Sequence, residues 1–348
     1  MKSFKSIALA VFAAVTVVGY AVQPLPVAAE GSAALSVEPK KNYMIEPGKS
    51  ISDTVTVRNI DADQTLYLTL NTVDFTYMDD TGAPKFNKAE DAQPTSWSLK
   101  PFLTAPKKVT VDPNSSKTID INIEIPTDIG GGSYYSAIEY ATSTSEGGNV
   151  AMNASLTTLV FVSVPGDVDE RLTLEKLGAY DNRVRKYRYF NTEVPKRIAY
   201  TLRNEGNVAQ SPVGSITLKS LFGQEITISD VNPNGSLALR EQTRTFESCI
   251  KLTKDKVDFN GTRAEATTCA DSGLFPGYYS VSLNLFYGQN GNNTQEVSGT
   301  AGFWYMPWWA LAILGALLAI VAYFVWKIVR KFRGDRPKAP KSSQKSRR

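Results

Sequence analysis

The 348-residue sequence predicts an all-β protein that ends in one membrane-spanning helix. Three observations support this: apolar and polar residues alternate along most of the chain, a set of phrases occurs twice in one order, and an uncharged apolar run lies near the C-terminus. Alternation with a period of two is typical of strands with one buried face, and many short strands separated by turns are typical of sandwiches. The predicted fold class is therefore all-β, with two tandem immunoglobulin-like β-sandwiches followed by one transmembrane helix.

The N-terminal segment 1–29 has the features of a signal peptide. Lys2 and Lys5 precede an uncharged apolar stretch, and the small residues Val27–Ala29 provide a cleavage site. An uncleaved anchor helix is the alternative, although the apolar stretch is short for a membrane span. Either way, the sequence that follows is predicted to be exported.

The middle of the chain carries the repeat. The phrase "TVTVRNIDADQTLYLTL" around Asn59 resembles "RIAYTLRNEGNVAQSPVGSITL" around Asn204, and the two asparagines lie 145 residues apart. Self-similarity at a long, nearly fixed spacing indicates two copies of one fold. We therefore predict a first domain over residues 30–165 and a second over 166–304, with each asparagine holding a polar loop together.

Two stretches interrupt the repeat, and they are where function is expected. The first copy has extra residues between Asn71 and Lys108, and the second has extra residues between Cys249 and Cys269. An insert in a sandwich either packs over the core or presents a binding face, and both alternatives stay open. The candidate contact surface consists of the aromatic residues in the first insert, Phe75, Tyr77, Trp97 and Phe102.

The two cysteines of the chain, Cys249 and Cys269, predict a disulfide. Both lie in the part predicted to be exported, where the environment is oxidising, so pairing is expected. A closed loop of this length contributes about 3 kcal/mol to stability. Two thiols alone do not make a zinc site in a chain without histidine.

The sequence lacks the residues that most catalytic systems need. Without histidine there is no Ser–His–Asp or Cys–His nucleophile system, and no glycine-rich phosphate loop lies between a strand and a helix. Neighbouring acids such as Asp79 and Asp80 are present, but an acidic domain provides such pairs by chance. We therefore predict a protein that is not an enzyme, with no catalytic residues, no metal site and no cofactor.

The C-terminal part predicts a membrane anchor. The 20 residues from Pro307 to Trp326 carry no charge, which is enough to cross the hydrocarbon core, and we place the transmembrane helix at 305–327. Residues 328–348 form a basic tail, which the positive-inside rule assigns to the cytoplasm, so that the N-terminal ectodomain is extracellular. The predicted membrane-interface anchors are Trp304, Trp308, Trp309, Trp326, Lys327, Arg330 and Lys331.

The charge distribution argues against a nucleic-acid partner. The net charge of the chain is +4, the leader contributes +2 and the segment from Lys327 onward +9, so the segment between them carries −7. The basic charge is thus concentrated beside the predicted span, where it orients the helix and can contact anionic lipid. No part of the predicted ectodomain is basic enough to indicate a polyanion partner.

Several phrases together resemble the WxL-interacting protein family of bacterial cell surfaces. In the first half these are "LSVEP", "MIEPGKSISDTVTVRN", "VTVDPNSSKTIDINIEIP" and "GGSYYSAIEY". In the second half they are "RNEGNVAQSPVGSITLKSLFGQEI", "FPGYYSVSLNLFYG" and "FWYMPWW". The resemblance covers most of Leu35 to Arg333 in order. The chain departs from the family pattern in the cysteine-bounded insert, in the insert around Trp97 and in its long basic tail.

The resemblance implies a first domain that binds peptidoglycan and a second that engages partner surface proteins or host matrix. It supplies no catalytic residues. The expected function is that of a non-enzymatic, membrane-anchored surface protein that binds cell-wall glycan, another surface protein, or both. The alternative is the ectodomain of a sensor or of a secretion-complex component.

Overall fold

The computed structural model describes residues 35–88, 95–143, 155–259, 262–288 and 294–334. Within these ranges the chain forms two β-sandwiches in tandem and one long C-terminal helix, so the predicted fold class is confirmed. The predicted signal peptide lies outside the described residues, as does the basic tail from residue 335 onward.

The first sandwich is built from ten strands and one short 3-10 turn at Lys100–Phe102. Its strands are β1 (Leu35–Val37), β2 (Lys40–Met44), β3 (Ser50–Asn59), β4 (Leu66–Tyr77), β5 (Pro84–Asn87), β6 (Leu103–Thr104), β7 (Lys108–Val111), β8 (Ser116–Glu124), β9 (Gly132–Ser143) and β10 (Ser155–Val164). One sheet has the order β1-β3-β8-β6, and the other has the order β2-β10-β9-β4-β5 with β7 also paired to β4. The pairing is antiparallel apart from β2 with β10, which is parallel.

The second sandwich uses nine strands, and a separate two-stranded hairpin extends from it. The strands are β11 (Leu172–Asp181), β12 (Lys186–Tyr187), β13 (Phe190–Asn191), β14 (Arg197–Asn204), β15 (Val213–Ser220), β16 (Glu225–Ile228), β17 (Thr243–Cys249), β18 (Leu252–Phe259), β19 (Thr262–Cys269), β20 (Gly277–Tyr287) and β21 (Gln295–Tyr305). The two sheets have the orders β12-β11-β14-β17 and β13-β21-β20-β15-β16. Strands β18 and β19 pair with each other in a sheet of their own.

The two sandwiches share one strand order, which gives the sequence repeat a structural meaning. Strands β1-β3-β8 of the first correspond to β11-β14-β17 of the second, and β2-β10-β9-β4-β5 corresponds to β13-β21-β20-β15-β16. The parallel edge pair recurs as well, as β2 with β10 and as β13 with β21. Each domain thus repeats the same connections.

The period-two pattern places one face of each strand in a core. In β8 the residues Ile119, Ile121 and Ile123 are buried, while Asp120 and Glu124 between and after them are exposed. Burying one such aliphatic side chain is worth about 1.5–3 kcal/mol. A second core of the same kind fills the second sandwich around Tyr200, Leu283 and Phe303.

Asn59 and Asn204 occupy equivalent buried positions and hold the loops at one end of each sandwich. The Nδ2 of Asn59 donates to the backbone oxygens of Gln64 (2.7 Å) and Val111 (3.2 Å). The Nδ2 of Asn204 donates to those of Val208 (2.7 Å) and Ala238 (2.8 Å). Both side chains are fully buried, so the predicted structural role of the repeated asparagine is confirmed.

Cys249 and Cys269 form the predicted disulfide. Their Cα atoms are 5.1 Å apart, and the bond joins the end of β17 to the end of β19. It therefore closes the base of the β18–β19 hairpin, at the end of the sandwich where β17 and β21 finish and β20 begins.

The C-terminal helix α1 (Trp308–Gly334) is long and apolar enough to cross a membrane, as judged by length and composition. It begins three residues later than the predicted 305–327, because Trp304 and Tyr305 still pair with β20 at the end of β21. It continues past residue 327 because Lys and Arg are good helix formers and are favourable near a helix C-terminus.

Candidate partner-binding site

Three of the four aromatic residues predicted as a contact surface lie in the interface between the two domains. Phe75 is buried in a cluster that includes Leu239 of the second domain. The hydroxyl of Tyr77 donates to the backbone oxygen of Leu237 and accepts a bond from Nη1 of Arg244 at 2.7 Å. These side chains contact the chain's own second domain.

The other two aromatic residues of the insert are half-buried. The ring of Trp97 stacks on that of Tyr135 with centroids 6.3 Å apart, and the Arg240 guanidinium lies 5.7 Å from the Trp97 ring. Phe102 packs against the core of the first sandwich. The structure therefore brings Phe75, Tyr77 and Trp97 together at the domain interface and leaves Phe102 apart from them.

Hydrogen bonds explain why the insert packs in this place. The buried carboxylate of Asp74 accepts bonds from the hydroxyls of Ser98 (2.7 Å) and Ser136 (2.8 Å). The backbone N–H of Tyr135 donates to the backbone oxygen of Trp97 at 3.0 Å, so the insert lies along β9 as a short additional strand. A buried carboxylate requires such donors, and they fix the insert against the sheet.

The loop that follows Asn204 joins the second domain to the first. The backbone N–H of Ser133 donates to the backbone oxygen of Asn207 at 2.9 Å, and Nδ2 of Asn207 donates to that of Gly131 at 3.1 Å. Gly132 has a φ of +145°, and a Cβ there would lie 2.8 Å from the Asn207 oxygen, so a side chain does not fit. This close backbone contact fixes how the domains meet.

Two cationic side chains, Lys40 and Arg244, lie near each other at the interface. Burial, assisted by the nearby Arg244 charge, lowers the pKa of Lys40, and burial raises the pKa of Tyr77. Arg244 lies over the Tyr77 ring at 5.0 Å and over the Phe246 ring at 5.3 Å. Cation–π contacts and hydrogen bonds thus hold the guanidinium inside the interface.

The second domain, in contrast, has an open strand edge. On the side away from β20, β21 pairs with β13 only at Trp304 and Tyr305, and in the described part of the chain no strand borders Gln295–Phe303 on that side. The N–H of Trp304 donates toward this side, to the backbone oxygen of Tyr189 at 2.7 Å. Backbone groups at two-residue spacing point the same way, so those of Ser298, Thr300 and Gly302 also face the open side.

A cleft lies between this edge and the facing edge of β11. It has a volume of about 570 Å³ and is lined by Leu174–Leu177, Tyr187 and Ser298–Ala301. β11 pairs with β12 only at Tyr180 and Asp181, so most of its outer edge is unpaired as well within the described residues. Burial raises the pKa of Tyr187 to about 12, which keeps this phenol neutral.

The sequence itself carries a signal for this open edge. The run Ser298–Gly302 consists of small residues and contains no Lys or Pro, which are the residues that commonly block an exposed edge. Ser298 and Thr300 are exposed, whereas Val297 and Gly299 on the other face are half-buried. A long, unblocked edge strand is available for pairing with another chain.

The predicted interface anchors lie at the base of the second domain and along α1. Trp304 is half-buried in β21, with its ring 5.4 Å from that of Tyr278. Trp308 and Trp309 are exposed at the start of the helix. The anchors in the second half of α1 are likewise exposed, namely Trp326, Lys327, Arg330 and Lys331.

No group of three or more His, Cys, Asp or Glu side chains that could hold a metal ion is found in the part of the chain that the structure describes.

No protein-family model matches the chain, and no curated protein matches it. Among solved structures, the chain is similar to the class 5 fimbriae chaperone CfaA, with 13% identity over 76% of this chain and 98% of that one and a TM-score of 0.36. It is similar to the Escherichia coli chaperone DraB, with 13% identity over 78% and 97% and a TM-score of 0.31. It is also similar to the Pseudomonas aeruginosa CupB2 chaperone, with 9% identity over 75% and 97% and a TM-score of 0.31. These low scores identify neither a family nor a function.

Proposed function

We propose that this chain is a non-enzymatic, membrane-anchored surface protein whose second domain holds an extended segment of another exported protein. The segment adds as a strand to the open edge of β21. The observation that supports this proposal is the unpaired edge of β21 between Gln295 and Phe303, which faces a cleft of about 570 Å³.

The backbone of β21 provides the affinity. Ser298, Thr300 and Gly302 each present one N–H and one C=O on the open side, and each new backbone hydrogen bond contributes about 0.5–1.5 kcal/mol net. Leu174 and Leu177 line the cleft beneath the incoming segment. Alternate side chains of the segment enter this cleft and provide selectivity, as in other cases of strand addition.

The position of the insert aromatics favours a protein segment over a glycan strand as the ligand. Sugar rings commonly stack on exposed aromatic rings. Phe75 is buried, however, and the ring and hydroxyl of Tyr77 already contact Arg244. Peptidoglycan binding by the first domain, implied by the resemblance to the WxL-interacting family, remains a separate prediction. Retention of the exported segment 30–305 on isolated cell wall tests it.

Helix α1 anchors this arrangement in the membrane. Trp304, Trp308 and Trp309 lie at its outer end, while Trp326 and the basic residues Lys327, Arg330 and Lys331 lie at its inner end. Aromatic belts and cytoplasmic basic residues orient single spans in this way. The two sandwiches are then extracellular and the tail is cytoplasmic.

Site-specific photo-crosslinking in living cells tests the binding site. A photoreactive amino acid is placed at Ser298 or Thr300 in the full-length chain, and the matched control is Thr157, the position in β10 equivalent to Ser298. We expect adducts from Ser298 and Thr300 that map to one short segment of an exported protein, and none of these from Thr157. Adducts absent from both sites, scattered over many proteins, or equally strong from Thr157 would contradict the proposal.

A further inference from the structure

Large apolar side chains are exposed at one end of the second domain. They come from three separate segments of the chain and form what we call the basal patch: Tyr189, Phe190, Leu221, Phe222 and Phe275. Leu221, Phe222 and Phe275 are 69%, 79% and 65% exposed. Single exposed apolar residues are ordinary on protein surfaces, whereas five large ones at one end of a domain indicate a contact surface.

Strand register places the basal patch at the end of the domain from which α1 emerges. Tyr305, at the end of β21, pairs with Gly277 at the start of β20. Ser220, at the end of β15, pairs with Tyr279 two residues further along β20. Neighbouring strands are about 4.8 Å apart, so the loop that carries Phe222 lies about 10 Å from the end of β21 across the sheet.

The connection between the domain and α1 is very short. The helix begins at Trp308, and the N–H of Met306 still donates to the backbone oxygen of Asn191 at 2.8 Å. Pro307, the one residue between them, is buried. Since each residue spans at most about 3.6 Å, the start of the helix cannot move far from the base of the domain.

The loops that carry the basal patch have their polar groups satisfied internally. The hydroxyl of Ser220 accepts bonds from the N–H groups of Phe222 (3.2 Å) and Gln224 (3.0 Å). Nε2 of Gln224 donates to the backbone oxygen of Gly273 at 3.2 Å, and its Oε1 accepts a bond from the Tyr279 hydroxyl at 2.6 Å. The two loops are thus tied together, and several of their backbone N–H groups are bonded within the domain, as an environment with little water requires.

We infer that the basal patch is inserted into the outer lipid interface of the membrane that α1 spans, so that the second domain is supported on the bilayer by these side chains as well as by its helix. This inference rests on the membrane anchoring in the proposed function. The additional contacts fix the tilt of the domain and therefore hold the open edge of β21 at a defined height and direction above the membrane.

Spin-label depth measurements on the full-length protein in lipid vesicles test this inference. Cysteine is introduced as Phe222→Cys or Phe275→Cys, and the native cysteines are paired and do not react. The control is Phe286→Cys, an exposed aromatic near the opposite end of β20, and the reference for the span is Leu317→Cys in α1. We expect labels at 222 and 275 to lie about 5–10 Å into the headgroup–acyl boundary. For these two labels, the ratio of the collision rate with oxygen to the collision rate with a water-soluble nickel complex should be higher than for the label at 286.

The outcomes separate this inference from the membrane anchoring. A label at 317 that is not in the bilayer overturns the anchoring and the inference together. A label at 317 in the bilayer with labels at 222 and 275 in water overturns the inference alone. Labels at 222 and 275 that are shielded from both reagents indicate a second copy or another protein on the patch, which also overturns it.

A second variant keeps the test independent of any single label. Phe222→Ser with Phe275→Ser removes two exposed rings, and the domain should still fold because both side chains are mostly outside the core. A label introduced as Leu221→Cys should move toward water in this background, while the label at 317 keeps its depth. An unchanged depth at 221 would show that the rings do not hold the loop in the lipid.

Discussion

The two sandwiches share the order of eight strands, but the edge formed by β10 is covered in the first and the equivalent edge formed by β21 is open in the second. Leu159 in β10 lies opposite Ala137, and Thr300 in β21 lies opposite Ser282 at the equivalent place. The N–H of Leu159 donates to the backbone oxygen of Pro39 at 3.0 Å, beside the strand β2 that covers this edge. Within the described residues no strand lies beside the N–H of Thr300, because the strand equivalent to β2 is only two residues long.

The loops after the repeated asparagines differ as well. The loop after Asn59 is exposed, and Ile60 there is 52% accessible to solvent. The equivalent loop after Asn204 is covered by the first domain, through Asn207 and Ala209 against Ser133. The first domain thus covers the edge of its own strand β10 with β2, and it covers the loop after Asn204 of the second domain. The edge of β21 stays uncovered within the described residues. The two copies therefore differ in which edge and which loop are covered.

The largest expected loss of stability comes from a substitution in the interface between the two domains. Tyr135 is fully buried, its ring lies 5.1 Å from that of Phe75, and its hydroxyl accepts a bond from Gln242 of the second domain. Tyr135→Ala should lower the free energy of unfolding by about 3–5 kcal/mol, since it empties the space that both domains fill. Urea denaturation of the exported segment measures this. Phe286→Ala, at an exposed ring, is the control, and equal losses in both variants would contradict the interface.

The disulfide comes next, because it belongs to the insert that only the second copy has. Cys249→Ser with Cys269→Ser should lower the free energy of unfolding by about 3 kcal/mol, the loop-closure contribution for 20 residues. Thermal unfolding of the exported segment under non-reducing conditions measures the loss. A double variant as stable as the parent would mean that the hairpin is independent of the sandwich.

Substitution of the repeated asparagine tests whether only the loop of the second copy contacts the other domain. Asn59→Ala and Asn204→Ala each leave buried backbone oxygens without donors and should each cost about 1–3 kcal/mol. The two should differ in the amide exchange of Ser133, whose N–H is bonded to the loop after Asn204. We expect faster exchange at Ser133 in Asn204→Ala and an unchanged rate in Asn59→Ala. The same rate in both would contradict the asymmetry.

The smallest effect is a pH dependence at the edge of the interface. Hydrogen bonds from the Thr81 hydroxyl and N–H, together with the Arg185 charge, lower the pKa of Asp79 below 3.8. A lowered carboxyl pKa stabilises the folded state fully above pH 3.8, and this stabilisation is lost as the pH falls through the lowered pKa. The free energies of unfolding of the parent and of Asp79→Asn, measured as a function of pH, should therefore differ above pH 3.8 and converge once the pH is below the lowered pKa. Parallel curves would show that the contact adds nothing.

The fold could be predicted from the sequence because its signals are local or repeated. Alternation along β8 specifies a strand with one buried face, and the spacing of Asn59 and Asn204 specifies two copies. The helix begins later than the predicted residue 305 because Tyr305 is as apolar as the helix that follows. Its pairing with Gly277 of β20 decides its conformation, and this pairing is not visible in a hydropathy pattern.

The candidate site could not be predicted in the same way. An aromatic residue in an insert gives the same sequence signal whether it faces solvent or a second domain, and the contact of Tyr77 with Arg244 joins residues 167 positions apart. The open edge of β21 depends on the brevity of β13, which is set by the path of the loops on either side of it. Small residues at Ser298–Gly302 are a usable signal only once the strand is known to lie at an edge.

The central claim is that a partner strand pairs with the backbone of β21, and two substitutions at Thr300 test it most directly. Thr300→Pro removes an N–H on the open side, which the pairing with β20 does not use, whereas Thr300→Val keeps it and has similar volume. The measurement is the yield of the adduct formed by a photoreactive residue at Ser298 in cells that express each full-length variant. We predict that the adduct persists in Thr300→Val and is lost in Thr300→Pro; equal yields would contradict backbone pairing.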